Sequence, residues 1–325
     1  TQRPVGLPLI IAHRGSPVSH PENTLVSFQA GLETGALAAE CDVHCTLDGE
    51  VIVLHDDNLQ RVASDSRKVA DMTLAEARQV DVGSWKGARF AGERIPTLRE
   101  VLELLRGKQR LNIEIKAQGI ADRVVETVRV AEASEWVNLI SFNHDTLRRV
   151  RQLAPDIAAG LISSGVQEDT PEECHRLLRS AFELGVQFLS VHWKGLPDSL
   201  IQKATLSGLT IWSWTLNDPE SIRREFTRGA ACVTSDDPDP GPGNGTNLVI
   251  VPLDPSGTVK VFNAFGATAV LADVLGYFSA TGGSFAQLTP ARLLDTRSAI
   301  GISPAARLGA GLMPIALLVS SRRAG

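Results

Sequence analysis

Between residue 9 and residue 235 the chain alternates eight short apolar runs with seven longer amphipathic stretches, and no other feature limits its fold so tightly. The apolar runs lie at 9–13, 37–43, 111–115, 138–142, 157–162, 186–192, 209–215 and 231–234. Their length and apolar character are those of buried strands. Helical patterns follow at about 23–35, 97–106, 120–133, 143–153, 171–184, 197–207 and 218–228. Thr97 with Glu100 forms a capping box, and Asn23 or Thr24 caps the first helix. Eight βα units within about 235 residues predict an α/β fold, a (β/α)8 TIM barrel, with the active site at the C-terminal ends of its strands. A polar segment after the second strand, about 47–96, interrupts the alternation as an insertion, with a short helix near 73–79.

The stretch 40–56, ECDVHCTLDGEVIVLHD, concentrates chemistry at one such strand end. Asp48-Gly49 is a two-residue turn signal and predicts a type I′ hairpin. If Leu47 pairs with Glu50, the register runs inward through Thr46 with Val51, Cys45 with Ile52 and Val43 with Leu54, until Asp42 faces His55. Glu40 shares the parity of Asp42 and points to the same side. Two carboxylates on one face suit a hard divalent cation, Ca2+ or Mg2+, because an unneutralised acid pair repels itself. The strand at 111–115 adds a third, with Asn112, Glu114 and Lys116 on one face. His13 and Arg14 close the first strand, so His13, Arg14, Asp42, Glu114 and Lys116 all fall at one end of the barrel. Trp212 and Trp214 share a strand face, and Trp214 is the expected wall of a substrate pocket.

The net charge of −5 and the lack of a dense Lys/Arg cluster argue against nucleic acid as a main partner. No apolar run reaches the roughly 20 residues of a membrane helix, so no transmembrane segment is expected; the run at 309–319 is broken by Pro314. The chain begins TQRPVGLP, without the basic region and apolar core of a signal peptide. The four cysteines form no ligand cluster, and Cys41 and Cys45 read as buried free thiols facing away from the chemistry. At Asp236 the composition changes to DDPDPGPGNGTN, a linker by its Pro and Gly content. It divides a domain of residues 1–240 from a small β-rich unit of residues 241–325, with strands expected at 248–251, 258–262 and 269–278. The end of the chain, from Gly301, fits neither helix nor strand.

In order along the chain stand His13-Arg14-Gly15, Pro21-Glu22-Asn23-Thr24, Glu40-x-Asp42-Val43, His55-Asp56, Glu114-Ile115-Lys116, Ser141-Phe142 and Trp214-Thr215 with Asn217. This set resembles the glycerophosphodiester phosphodiesterase family over residues 7–240, including the insertion after the second strand. The resemblance implies that Glu40, Asp42 and Glu114 hold Ca2+ or Mg2+, that His13 and His55 are the catalytic acid/base pair, and that Arg14 and Lys116 bind the phosphate. The implied substrate is a small glycerophosphodiester, cleaved to an alcohol and glycerol phosphate. A lysophospholipid substrate, for a lysophospholipase D-like enzyme, is the near alternative. A non-catalytic phosphate- or lipid-binding surface protein is the alternative from another class, and the intact His13, His55 and three-acid set disfavours it. The tail, with the runs 272–278 and 294–297, resembles β-rich modules of secreted actinobacterial proteins. That implies a secreted or cell-surface location, with surface contact through the tail.

Overall fold

The structure is a computed structural model that describes residues 9–238 and, beyond them, the strand segments 245–251, 268–279, 285–295 and 312–323. Strand β1 (Leu9–His13), helix α1 (Leu25–Glu33) and strand β2 (Ala38–Cys45) open the chain, followed by β3 (Val51–Val53). Short elements come next: β4 (Asn58–Leu59), α2 (Gln60–Ala63), β5 (Asp65–Lys68) and α3 (Leu74–Ala77). The alternation then resumes with α4 (Leu98–Leu105), β6 (Arg110–Ile115), α5 (Ala121–Val130), β7 (Val137–Ser141), α6 (His144–Leu153) and β8 (Ala158–Ser163). It ends with α7 (Pro171–Leu184), β9 (Phe188–His192), α8 (Asp198–Leu206), β10 (Thr210–Trp214), α9 (Pro219–Arg228) and β11 (Cys232–Ser235).

Strands β1, β2 and β6 to β11 pair in parallel, each with the next, and β1 closes the ring by pairing with both β11 and β2. This is the (β/α)8 barrel that the eightfold alternation predicts. Its main core lies between the strands and the helices: Cys41, Val43, Leu111, Ile113, Leu139 and Leu189 are buried with Leu98, Leu102, Val124 and Leu147. Inside the barrel a second cluster joins Ile140, Ile162 and Phe188 to Trp212 and Trp214. Both tryptophans therefore occupy the interior face, as their shared parity requires. All four cysteines are free, and Cys41 is fully buried in the outer core, where burial pushes its thiol well above the ordinary value.

The hairpin after β2 differs from the expected one. Thr46 N–H donates to Glu50 O at 3.0 Å and Gly49 N–H to Thr46 O at 3.0 Å, so three residues turn the chain rather than two. Only Gly49 has a positive φ, 85°, which excludes a type I′ turn. The Thr46 hydroxyl donates to Asp48 Oδ1 at 2.6 Å and accepts from Glu50 N–H, and so secures the extra residue. The register is accordingly one residue off the expected one: Cys45 pairs with Val51, His44 with Ile52 and Val43 with Val53. Asp42 lies opposite Leu54, whose N–H it receives at 3.0 Å, and not opposite His55. The segment that follows is not merely polar, because Ile52, Leu54, Leu59, Val62, Val69, Met72, Val82 and Ile95 bury one another in a satellite core.

Beyond the barrel, β12 (Gly245–Val251), β13 (Thr268–Ser279), β14 (Phe285–Asp295) and β15 (Leu312–Arg323) form an antiparallel sheet in the order β12-β15-β13-β14. Strand β15 occupies part of the stretch that fits no pattern in sequence. The strand expected at 258–262 lies outside the described residues. The chain divides into two compact units, one of them spanning Pro8–Asp239 and the other carrying these four strands.

At the end of β1 the chain turns sharply onto α1. Gly15 has a φ of 90°, and a Cβ there would stand 2.4 Å from the carbonyl carbon of Ser27. The Ser27 hydroxyl donates to Arg14 O at 2.9 Å and accepts from Ser16 N–H at 2.8 Å, locking the turn. Gly15→Ala is expected to cost more than about 2 kcal/mol, because both the backbone conformation and the space are closed to a side chain. Chemical denaturation measures this; an unchanged midpoint would contradict it.

Candidate active site

Glu40 and Asp42 stand two residues apart on β2, and the parallel register sets Asp42 beside Glu114 on β6. One carboxylate oxygen from each of the three lies within 4.8 Å of the others. Burial makes this costly: Glu40 is 4% exposed and Asp42 0%. Burial first, and then repulsion from Asp42 and Glu114, pushes the Glu40 carboxyl well above its ordinary value. Burial and Asp42 likewise push Glu114 up to about 7. Asp42 goes the other way. Burial would raise it, but Arg14, His55, Lys116 and His13 together hold it below the usual carboxylate range. Asp42 Oδ1 is buried without a hydrogen-bond partner. Three oxygen donors at this spacing, two of them held toward the protonated form and one with an orphaned lone pair, fit a hard divalent cation.

Two cationic side chains border the acids. Arg14 Nε is 3.1 Å from Asp42 Oδ2, its Nη1 donates to Glu22 Oε1 at 2.9 Å, and its backbone N–H donates to Glu40 Oε2 at 3.2 Å. Arg14 takes a φ of 49° to make these contacts. Lys116, one residue past β6, places Nζ 3.1 Å from Glu114 Oε1 and 3.6 Å from Asp42 Oδ1. Asn23, buried with a φ of 58°, donates Nδ2 to Asp42 Oδ2 at 2.9 Å.

Two imidazoles edge the same cluster. His13 Nε2 is 3.8 Å from Glu40 Oε2, while its Nδ1 is 2.6 Å from Asp236 Oδ1. His55 Nε2 is 3.2 Å from Lys116 Nζ, and its Nδ1 is 2.6 Å from Asp56 Oδ1. Lys116 has donors only, so His55 Nε2 accepts, and its proton sits on Nδ1 toward Asp56. Burial lowers the His55 pKa and Arg14 and Lys116 add to this, against the pull of Asp42. Asp56 is held in turn by Arg61 at 2.8 Å, and Arg61 grips Glu22 with two bonds of 2.8 Å. A chain of charges thus runs from Arg14 through Glu22, Arg61 and Asp56 to His55.

His13, Arg14, Glu40, Asp42, His55, Glu114 and Lys116 are therefore all brought together. His55 arrives although the hairpin register differs, because the chain leaves β3 after Val53 and carries the imidazole to Lys116. Trp214 stands apart from the acids at the end of β10, with its indole N–H donating to Ser190 O at 3.1 Å. Phe142 and His192 meet it edge-on, at centroid distances of 5.8 and 4.8 Å. These three rings line another part of the same barrel end.

The sequence patterns give no site role to five supporting residues, Glu22, Asn23, Asp56, Arg61 and Asp236, although the first three stand in the quoted motifs. Composition makes Asp236 the first residue of the linker, yet it completes the barrel end just after β11. The signal that would have found it is the one used for His13, a polar residue immediately past a barrel strand.

Residues 13–240 match the Glycerophosphoryl diester phosphodiesterase family. A glycerophosphodiester phosphodiesterase of Caldanaerobacter subterraneus subsp. tengcongensis is 36% identical over 238 residues, covering 71% of this chain and 95% of that protein. The solved structure of an Oleispira antarctica phosphodiesterase in complex with the product sn-glycerol-3-phosphate has a TM-score of 0.65 at 29% identity, covering 72% of this chain and 94% of its own. A glycerophosphodiester phosphodiesterase of Agrobacterium tumefaciens has a TM-score of 0.63 at 25% identity, covering 72% and 98%.

A cation bound at the triad would displace the protons that burial and repulsion favour on Glu40 and Glu114. Affinity for a divalent cation is therefore expected to fall as pH drops from 8 to 6, below the Glu114 value of about 7. Calorimetry in buffers of different ionisation enthalpy reads both the affinity and the released protons; binding without either dependence would contradict the assignment.

Proposed function

The chain belongs to the glycerophosphoryl diester phosphodiesterase family, and from that premise we propose that it hydrolyses glycerophosphodiesters to an alcohol and glycerol phosphate. Glu40, Asp42 and Glu114 hold the divalent cation, Ca2+ or Mg2+. The observation that carries this reading is the pair of imidazoles on one carboxylate cluster: His13 Nε2 lies 3.8 Å from Glu40, and His55 Nε2 lies 3.2 Å from the Lys116 ammonium that reaches Asp42.

A phosphodiester resists attack because its negative charge repels nucleophiles, so catalysis rests on positive charge placed against the non-bridging oxygens. When bound, the cation supplies Lewis-acid stabilisation of that charge. Arg14 and Lys116, which border the three carboxylates, are the cationic side chains for the phosphate oxygens. Arg14 presents a planar fork of donors and Lys116 a mobile point charge. His55, neutral with its lone pair on Nε2, takes the proton of the substrate's own neighbouring hydroxyl, whose oxygen bonds to phosphorus as the bond to the departing alkoxide breaks; water then opens the cyclic phosphate to glycerol phosphate. His13, flanked by Asp236 and Glu40, gives a proton to the departing alkoxide. Each transfer contributes about 10²–10⁴-fold.

Trp214, with Phe142 and His192, forms the aromatic wall against which the alcohol portion of the substrate packs. No helix of the described residues is long and apolar enough to cross a membrane. The β-rich unit is assigned a binding or anchoring role at a cell surface, on its resemblance to modules of secreted proteins.

Purified protein supplied with glycerophosphocholine and Ca2+ or Mg2+ is expected to release choline and glycerol phosphate. His13→Ala and His55→Ala should each lower kcat by at least about 10²-fold with the near-ultraviolet circular dichroism unchanged. Near-normal turnover in either variant would sink the mechanism.

A further inference from the structure

We propose that Asp236, itself oriented by Asn217, holds His13 in the one tautomer that can exchange a proton with the substrate. The two are positioning residues for the reaction. The inference rests on the proposed role of His13, but its geometry stands apart from that role.

A carboxylate only accepts, so the 2.6 Å contact between Asp236 Oδ1 and His13 Nδ1 requires the proton on Nδ1. The neutral ring then carries its lone pair on Nε2, the nitrogen that faces Glu40 and the acid cluster. This tautomer serves either direction of transfer. It is the state from which Nε2 accepts a proton, and also the state the ring reaches after Nε2 has given one up.

Asn217 makes the arrangement directional. Its side-chain oxygen accepts the Asp236 backbone N–H at 2.8 Å, and a backbone N–H can only donate. The amide of Asn217 therefore has one orientation, with Nδ2 donating to Asp236 Oδ2 at 3.0 Å. A donor is thus fixed on one side of the Asp236 carboxylate and His13 on the other. The backbone holds the assembly from outside as well, since Val18 N–H donates to Asp236 O at 3.4 Å.

This directionality gives the isosteric substitution Asp236→Asn a definite consequence. Its Oδ1 must face the fixed Asn217 Nδ2, because two amide nitrogens cannot oppose each other. Its Nδ2 then meets His13 Nδ1 and donates to it. The His13 proton moves to Nε2, and the nitrogen facing the acid cluster loses its lone pair. The same reversal follows from the equivalent Asp-to-Asn change in serine-protease triads, where the geometry stays intact while kcat falls about 10⁴-fold.

The test compares Asp236→Asn, Asp236→Ala and the double variant Asp236→Asn/Asn217→Ala with the unsubstituted chain. Turnover of glycerophosphocholine is measured alongside 15N spectra of histidine-labelled protein, with the His13 signals identified by their loss in His13→Asn. Asp236→Asn is expected to lower kcat about 10²–10⁴-fold with KM within about threefold. It should be at least as impaired as Asp236→Ala, and its neutral His13 should carry the proton on Nε2 instead of Nδ1. In the double variant the amide at 236 is free to rotate, and kcat should recover at least about tenfold over Asp236→Asn, because the rotated amide oxygen again accepts from Nδ1.

A purely structural role would make the isosteric variant milder than Asp236→Ala and leave the tautomer alone. Either result overturns the proposal. If the unsubstituted chain turns over no glycerophosphodiester while the His13 proton still moves in Asp236→Asn, the functional reading fails and the positioning contact stands.

Discussion

Three carboxylates share a buried space at one end of the barrel, and much of the surrounding structure answers their repulsion. Two like charges about 4 Å apart repel by roughly 4 kcal/mol at an effective dielectric of 20. A domain's whole stability is about 5–15 kcal/mol, so three such acids cannot stand unneutralised. Arg14, Lys116 and Asn23 reach Asp42, and protons remain on Glu40 and Glu114 to higher pH than is usual. The strained end of β1 follows from the same need. Arg14 and Asn23 adopt positive φ, and Gly15 lets α1 approach closely enough to hold them there. Those backbone conformations are held by the contacts made around the acids together with the bonds of Ser27 and Asn23 to Arg14 O.

The two histidines are supported alike and from opposite directions. Each has Nδ1 against an aspartate at 2.6 Å, leaving Nε2 toward the cluster. For His13 the aspartate belongs to the last barrel strand end, and for His55 it is the next residue, tied through Arg61 to Glu22. Arg61 lies on the segment inserted between β3 and α4. That segment, with its own satellite core, holds Asp56 and Glu22 in place and so reaches both His55 and Arg14.

The barrel was legible because strand–helix alternation is a local, periodic signal repeated along eight strands, and placing strand ends then located Glu40, Asp42 and Glu114. Parity alone put Glu40 and Asp42 on one face, and the structure keeps them there. Registers and turns were less accessible. Asp48-Gly49 looks like a two-residue turn, but the Thr46 side chain bonds across the loop and admits a third residue, shifting every pair by one. His55 reached the site by a path the hairpin argument did not describe. Asp236 was lost to composition, since the Pro- and Gly-rich run that begins beside it reads as a linker, and only the closure of β11 against β1 brings it to His13. The segment 312–323 forms a strand despite Pro314, and its pairing with β12 and β13 is non-local, beyond the reach of sequence periodicity.

We propose that the buried carboxylates hold a divalent cation on which phosphodiester cleavage depends. The direct measurement is alcohol release from a glycerophosphodiester by protein stripped with EDTA, then titrated with Ca2+ or Mg2+. Turnover is expected to vanish on stripping, to return saturably on titration, and to stay absent in Asp42→Asn at the same cation concentrations. Undiminished turnover in the stripped protein, or in Asp42→Asn, would contradict it.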